Sequence, residues 1–285
     1  VGREVIFKYD KQQSDLKENV LQVRNLSAVD ERGLRALKEV SFSIRLGEIV
    51  GIAGVEGNGQ NELVEVITGL KKSVAGSINL FGKEIGNYST RRRRELGISH
   101  IPGDRMLMGI NKSCTIEENL ILNRYYQPPL AKNYFLNSRK INEFSNSLIK
   151  RFNVATPNSK VLADSLSGGN IQKLILAREM EGSPDLLIAC QPTRGIDIGA
   201  IEYIHSQIIE LRNQSHGVLL VSSELEEIMD LSDRILVIYQ GEIVGEFNAG
   251  NVSETELGLY MAGVKRMDIS EDGNSFSKLK ISART

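Results

Sequence analysis

The sequence predicts an α/β fold with a mostly parallel core sheet. Two observations carry this. Short, wholly apolar runs at Ile49–Ala53, Leu186–Ala189 and Val218–Val221 read as buried strands. Stretches with helical spacing lie between them, as at Asn61–Leu70, where Leu63, Val66, Ile67 and Leu70 fall on one face.

Residues 1–19 are polar and charged, with Lys11-Gln12-Gln13-Ser14-Asp15 at their centre, and read as a linker. The first residue is Val, so the chain reads as a piece of a longer protein. Alternation from Val20 to Ser27 predicts a strand. The run from Ile49 ends in Gly54 and precedes the Asn61–Leu70 helix. Residues 106–160 are rich in Asn, Lys and Ser, and Pro128-Pro129 breaks them; they read as a helical insertion. Within it, Ile141, Phe144, Leu148 and Phe152 form a stripe suited to core packing. Ile235–Ile238 and Glu242–Phe247 flank Gln240-Gly241, a hairpin signal. Ser253 and Glu256 have the spacing of a capping box. The polar stretch 263–285 reads as a disordered tail.

Composition narrows the function. Thirty-five basic and 36 acidic residues nearly cancel, which argues against a nucleic-acid binder held by charge alone. Two cysteines are too few for a disulfide framework and fit a reducing compartment. No apolar run is long enough to cross a bilayer, and no signal peptide opens the chain.

Three motifs carry chemistry. Gly54-Val55-Glu56-Gly57-Asn58-Gly59-Gln60-Asn61 matches the spacing of a phosphate-binding loop, with Gln60 in the Lys place and Asn61 in the Ser/Thr place. Glycines let the backbone curl, and a helix N-terminus offers N–H groups to an anion. The cation is missing, and a charged hydrogen bond contributes about 1.5–3 kcal/mol against about 1 for a neutral one. Without further context the run also suits a plain strand–helix turn. Leu166-Ser167-Gly168-Gly169-Asn170 opens a second helix, and read alone is an ordinary Ser/Gly start. The run Leu186–Ala189 ends at Cys190 and Gln191, where a nucleotide hydrolase needs Asp and Glu. A thiol is a poor Mg²⁺ ligand, and an amide cannot act as a general base. Cys190 reads as a packing residue.

In this order and at these separations the motifs resemble the nucleotide-binding domain of an ABC transporter, over about residues 20–262. Leu166–Asn170 matches the family's signature. More narrowly, the chain resembles the second, C-terminal cassette of two-cassette importers for simple sugars and nucleosides: Val1–Val5 resembles the junction between their two cassettes, and Ala53–Gln60, Asp104-Arg105 and Gln191–Asp197 resemble the nucleoside-importer branch. The resemblance implies a P-loop NTPase ABC cassette: a mixed or parallel core sheet, an antiparallel β-subdomain and an inserted helical subdomain at about 104–170. It implies ATP or ADP as ligand, a first cassette as partner (same polypeptide or dimer mate), two membrane permease subunits, and indirectly a substrate-binding lipoprotein. It places the chain at the cytoplasmic face of the membrane.

The departures from the family pattern share one direction. Gly103 stands where the Q-loop glutamine is expected and Ser223 where the switch histidine is expected. No adenine-stacking aromatic occurs at Ala28–Arg32. With Gln60, Cys190 and Gln191, these replacements imply a site that does not hydrolyse nucleotide. The intact signature implies that Ser167, Gly168, Gly169 and Asn170 serve nucleotide held by a partner cassette, with Asp197 at the dimer seam and Mg²⁺ only at that composite site. The isolated domain is expected to bind nucleotide weakly, if measurably at all, and to lack hydrolysis. A second reading is a non-hydrolytic, nucleotide-dependent scaffold of a permease complex. A third, an ABC protein acting on ribosomes or DNA, calls for intact Walker residues and a basic surface, and the sequence has neither.

Other features are plainer. Arg91–Arg94 reads as a solvated helix face, with contact to phosphates or an acidic partner as the alternative. His100, His205 and His216 lack metal-ligand spacing, so no metal site is assigned.

Overall fold

The structure, a computed structural model, describes residues 11–12 and 18–267. The junction-like Val1–Val5 and the tail beyond Met267 lie outside the described residues.

The chain begins with β1 (Asn19–Val29) and β2 (Arg35–Arg45), which pair antiparallel. In β2, Leu37, Val40, Phe42 and Ile44 are buried. β3 (Ile49–Ala53) is buried at every residue and leads into α1 (Gln60–Thr68). β4 (Ala75–Leu80) and β5 (Lys83–Glu84) complete a four-stranded antiparallel sheet in the order β2-β1-β4-β5. The short α2 (Thr90–Glu95) precedes β6 (Ile98–Ile101).

The middle of the chain is mainly helical, as the insertion reading expects. A π-turn at Arg105–Gly109 and α3 (Ile116–Ile121) come first. A two-residue-per-strand hairpin follows, β7 (Ala131–Lys132) and β8 (Phe135–Leu136), and then α4 (Ser138–Arg151). Ile141, Leu148 and Phe152 are buried, so the stripe is core. A 3-10 turn at Ala163–Ser165 leads to α5 (Gly168–Met180), whose last eleven residues but Lys173 and Asn170 are buried. α3 and α4 pack against it.

β9 (Leu186–Cys190), α6 (Ile198–Asn213), β10 (Gly217–Val221) and α7 (Leu225–Leu231) continue the alternation. β11 (Arg234–Tyr239) and β12 (Glu242–Asn248) form the expected hairpin at Gln240-Gly241. The main sheet runs β12-β11-β3-β10-β9-β6, parallel except for β12. Helices α5 to α8 contribute to the core on one side, and α1 with the antiparallel sheet to the core on the other. No described helix is long and apolar enough to cross a membrane.

Three local expectations change. At α8 (Glu254–Met261), Ser253 Oγ accepts from the Glu256 N–H at 3.2 Å, but Glu256 Oε1 turns to Lys265 at 3.8 Å, so the box is half formed. The start of the expected tail is docked: Met267 N–H donates to Val244 O at 2.9 Å, and Arg266 pairs with Glu242 at 2.6 Å. At the other end, Lys11 Nζ donates to Ser232 O at 2.9 Å, and Arg212 reaches Gln12 O.

The arginine run is not uniformly a solvated face. Arg93 is buried and donates to Val66 O, Ile67 O, Gly86 O and Tyr88 O at 2.5, 2.7, 2.7 and 3.0 Å. It caps the carbonyls at the end of α1, a use of charge that relieves the helix dipole. Arg94 pairs with buried Glu179.

Candidate functional site

A cavity of about 620 Å³ opens where β3, β6, β9 and β10 end. Such a position, outside the carboxyl ends of parallel strands, is where α/β sheets bind ligands. Of the residues singled out in sequence, Gly54, Gly57, Gln60, Asn61, Gly103, Cys190, Gln191 and Ser223 line it together.

The glycine-rich loop is held by its neighbours. Asn58 Oδ1 accepts from Gln240 N–H at 2.7 Å, and Asn58 O from Gly241 N–H at 3.0 Å. Gly59 has φ +105°, and a Cβ there would lie 2.6 Å from Ala36 O. A Cβ on Gly54 would lie 2.8 Å from Ile238 O. Gly59 stands at the N-cap of α1 and has no side chain to offer, so the first N–H groups of the helix lack a side-chain cap.

Gln60 takes an unexpected pose. Its Oε1 accepts from Asn58 N–H at 3.0 Å and its Nε2 donates to Val55 O at 3.0 Å. The amide therefore bridges the loop and occupies one of the donors a phosphate would use. The charged lining is mixed: Arg105 and Arg194 against Glu56, Glu65 and Asp104. Arg194 pairs loosely with Glu56 at 3.8 Å. An uncapped helix start suits an oxyanion, but Gln60 and Asn61 supply neither the cation nor the Mg²⁺-binding hydroxyl that a tight triphosphate site takes from its loop.

Cys190, Gln191 and Ser223 form a neutral wall. Cys190 is buried, and burial pushes its thiol up to about 11, against a hydrogen bond from the Gly103 backbone. A Cβ on Gly103 would lie 3.2 Å from its sulfur, so thiol and glycine fill one another's space. Gln191 Oε1 accepts from both the N–H and the Oγ of Ser223, at 3.1 Å each. No group in this trio can take a proton from water at neutral pH.

The second motif stands apart. Ser167, Gly168, Gly169, Asn170 and Asp197 do not line the cavity. Ser167 is exposed and caps α5, accepting from Asn170 N–H at 3.4 Å and Asn170 Nδ2 at 2.9 Å. Asn170 Oδ1 in turn accepts from Ala155 N–H at 2.8 Å. Asp197 caps α6 through Ala200 N–H at 2.9 Å. A Cβ on Gly169 would lie 2.8 Å from Asp197 Oδ2, so this glycine lets the two helix starts touch.

Sequence reasoning gave Arg105 no role, yet it reaches from the cavity to the second motif, where a Cβ on Gly168 would lie 3.2 Å from its Nη2. It lines the cavity and donates to the carbonyls of Arg194 and Gly195, the latter at 3.0 Å. No spacing rule points to such a backbone-directed arginine. The histidines are scattered: His205 Nε2 lies 2.7 Å from Glu227 Oε1, which also accepts from Thr193 Oγ1 at 2.6 Å. Among the described residues no group of three or more His, Cys, Asp and Glu could hold a metal ion.

The comparisons agree with this geometry. A family model described as ABC transporter matches residues 37–194, more than half of the chain. The chain is 48% identical over 263 residues to the guanosine import ATP-binding protein NupO of Bacillus subtilis, covering 92% of this chain and 52% of that one. It is 46% identical over 263 residues to the nucleoside import ATP-binding protein NupA of Lactococcus lactis, with the same coverage. It is 43% identical over 265 residues to the glucose import ATP-binding protein TsgD13 of Haloferax volcanii, covering 92% and 48%. The chain thus spans about half the length of these curated relatives. A nucleotide-free ATP-binding cassette from an ABC transporter superposes with TM-score 0.71 at 22% identity, over 85% of this chain and 99% of that one. The α/β fold with its antiparallel subdomain is the ABC ATPase cassette fold, and the chain belongs to the ABC transporter family.

Proposed function

We propose that the chain is the ATP-binding component of an importer for a nucleoside or simple sugar, and that it acts as the second, C-terminal cassette beside a hydrolytic first one. The names of relatives at 43–48% identity support the transport class. In this reading residues 20–262 are the cassette, 1–19 the link to the first cassette and 263–285 a tail. The cassette sits at the cytoplasmic face of the membrane on two permease subunits, which a substrate-binding lipoprotein supplies.

One observation carries the asymmetric part. Ser167 is exposed at the start of α5 with its glycines intact, while Gln60, Gly103, Cys190, Gln191 and Ser223 offer neither cation nor base. Ser167 with the Gly168, Gly169 and Asn170 N–H groups then completes nucleotide held by the partner, with Asp197 at the seam. Donors placed in advance around developing charge are an efficient way to lower a barrier. Mg²⁺ belongs to that composite site. The loop at Gly54–Asn61 retains weak nucleotide binding through backbone N–H groups.

The test is phosphate release by the first cassette with and without this chain. Addition raises the rate, and Ser167→Arg abolishes the gain. No gain where the two demonstrably associate, or brisk turnover by this chain alone, overturns the reading; the first result would favour a scaffold.

A further inference from the structure

Beside the main cavity lies a smaller one of about 150 Å³. His100, Leu70, Pro102 and Met108 line both, so the two adjoin. The charged lining of the small cavity is Arg93, Arg94, Arg178 and Glu179. Arg93 is committed to four backbone carbonyls. Glu179 is buried; it accepts from Arg94 Nη1 on one oxygen and from Arg178 Nε, at 2.8 Å, on the other. Burial pushes this carboxyl up, but Arg178 and Arg94 overcome it and hold it below the usual range. Two guanidiniums therefore share one carboxylate, and one positive charge is left over.

The donors are also in surplus. Among the described residues, Arg178 has no hydrogen bond from either Nη, and Arg94 none from Nε or Nη2. His100 Nε2 is buried with no partner. Buried polar groups are ordinarily paired, and an unpaired one is costly. Free guanidinium N–H groups and a neutral imidazole around a small cavity are the chemistry that recognises a tetrahedral oxyanion. The volume is roughly tenfold the ~10–15 Å³ that one water needs on the same measure, so it has room for one such ion.

We propose that this side cavity is a binding site for a phosphate-class oxyanion, held by Arg94, Arg178 and His100 and separate from the glycine-rich loop. The ion is either free phosphate or the terminal phosphate of a nucleotide entering past His100. The site does not depend on the proposed role of the signature.

The test titrates inorganic phosphate into the intact chain with ¹⁵N-labelled histidine, at constant ionic strength set by chloride. The His100 ring signals shift saturably. Arg94→Gln leaves the Arg178–Glu179 pair in place and weakens binding by about tenfold or more, the loss of one charge-assisted contact. Equilibrium dialysis of His100→Phe shows the same direction without relying on the ring signal. Unchanged phosphate binding when ATP is added identifies free phosphate as the ligand; mutual exclusion identifies the nucleotide's phosphate. No saturable response of the wild-type chain to millimolar phosphate, or equal affinity in folded Arg94→Gln, overturns the proposal.

Discussion

Gln191 and Ser223 are hydrogen-bonded to each other, the amide oxygen of one receiving both the N–H and the hydroxyl of the other. They stand at the ends of β9 and β10, adjacent parallel strands. The ends of two adjacent strands are thus tied across the cavity wall by a neutral pair.

Gln191→Glu keeps an acceptor for both Ser223 donors, so stability changes by less than about 1 kcal/mol. ATP turnover by the chain alone stays at background, because Gln60 and Cys190 still supply no cation and no metal ligand. Phosphate release checks the second outcome and urea denaturation the first. Turnover restored by this one change would show that the rest of the site is competent.

His100 makes stability depend on acid. Burial lowers it to about 4, so the folded chain keeps it neutral. A base with a depressed folded pKa contributes stability above its unfolded value, about 6.5, and loses it as pH falls towards the folded one. The loss between about pH 6.5 and 4 is up to about 3 kcal/mol. In His100→Phe the curve flattens across that window in denaturant titrations at stepped pH. An equally steep curve in the variant would assign the effect to other groups.

Within the four-arginine run, position decides the cost. Arg93→Met strands the carbonyls of Val66, Ile67, Gly86 and Tyr88 and costs about 3 kcal/mol or more. Arg92→Ala, on an exposed residue paired with Glu95 at 3.1 Å, costs less than about 1 kcal/mol. Thermal melts of the two variants, compared with wild type, separate these outcomes.

The parallel core was legible because β3, β9 and β10 are buried on both faces and hence continuously apolar. The β11–β12 hairpin was legible from its turn. β2 was not read, although Val40, Phe42 and Ile44 alternate; Glu39 and Lys38 obscure the start of the pattern. α3 was missed too, despite its full capping box between Thr115 and Glu118. Of the cavity-lining residues, Gly54, Gly57, Gln60 and Asn61 came from motif spacing, Cys190 and Gln191 from the end of an apolar run, and Gly103 and Ser223 from the family resemblance. The roles of Arg93 and Arg105 came from none of these, because each depends on carbonyls brought close by the fold; Gln60 was read by its place in the motif, while its amide turns back on Asn58 and Val55 of its own loop. Spacing names a residue's place on its own element, not the distant backbone it will meet.

The Gly59 contact bears on how such a loop ages. Its missing Cβ is demanded by Ala36 of the antiparallel sheet, and that of Gly54 by Ile238, whatever ligand is or is not bound. Chemistry can erode here residue by residue while the architecture goes on vetoing any bulk at these two points. Even with every other side chain of the loop exchanged, its outline would persist.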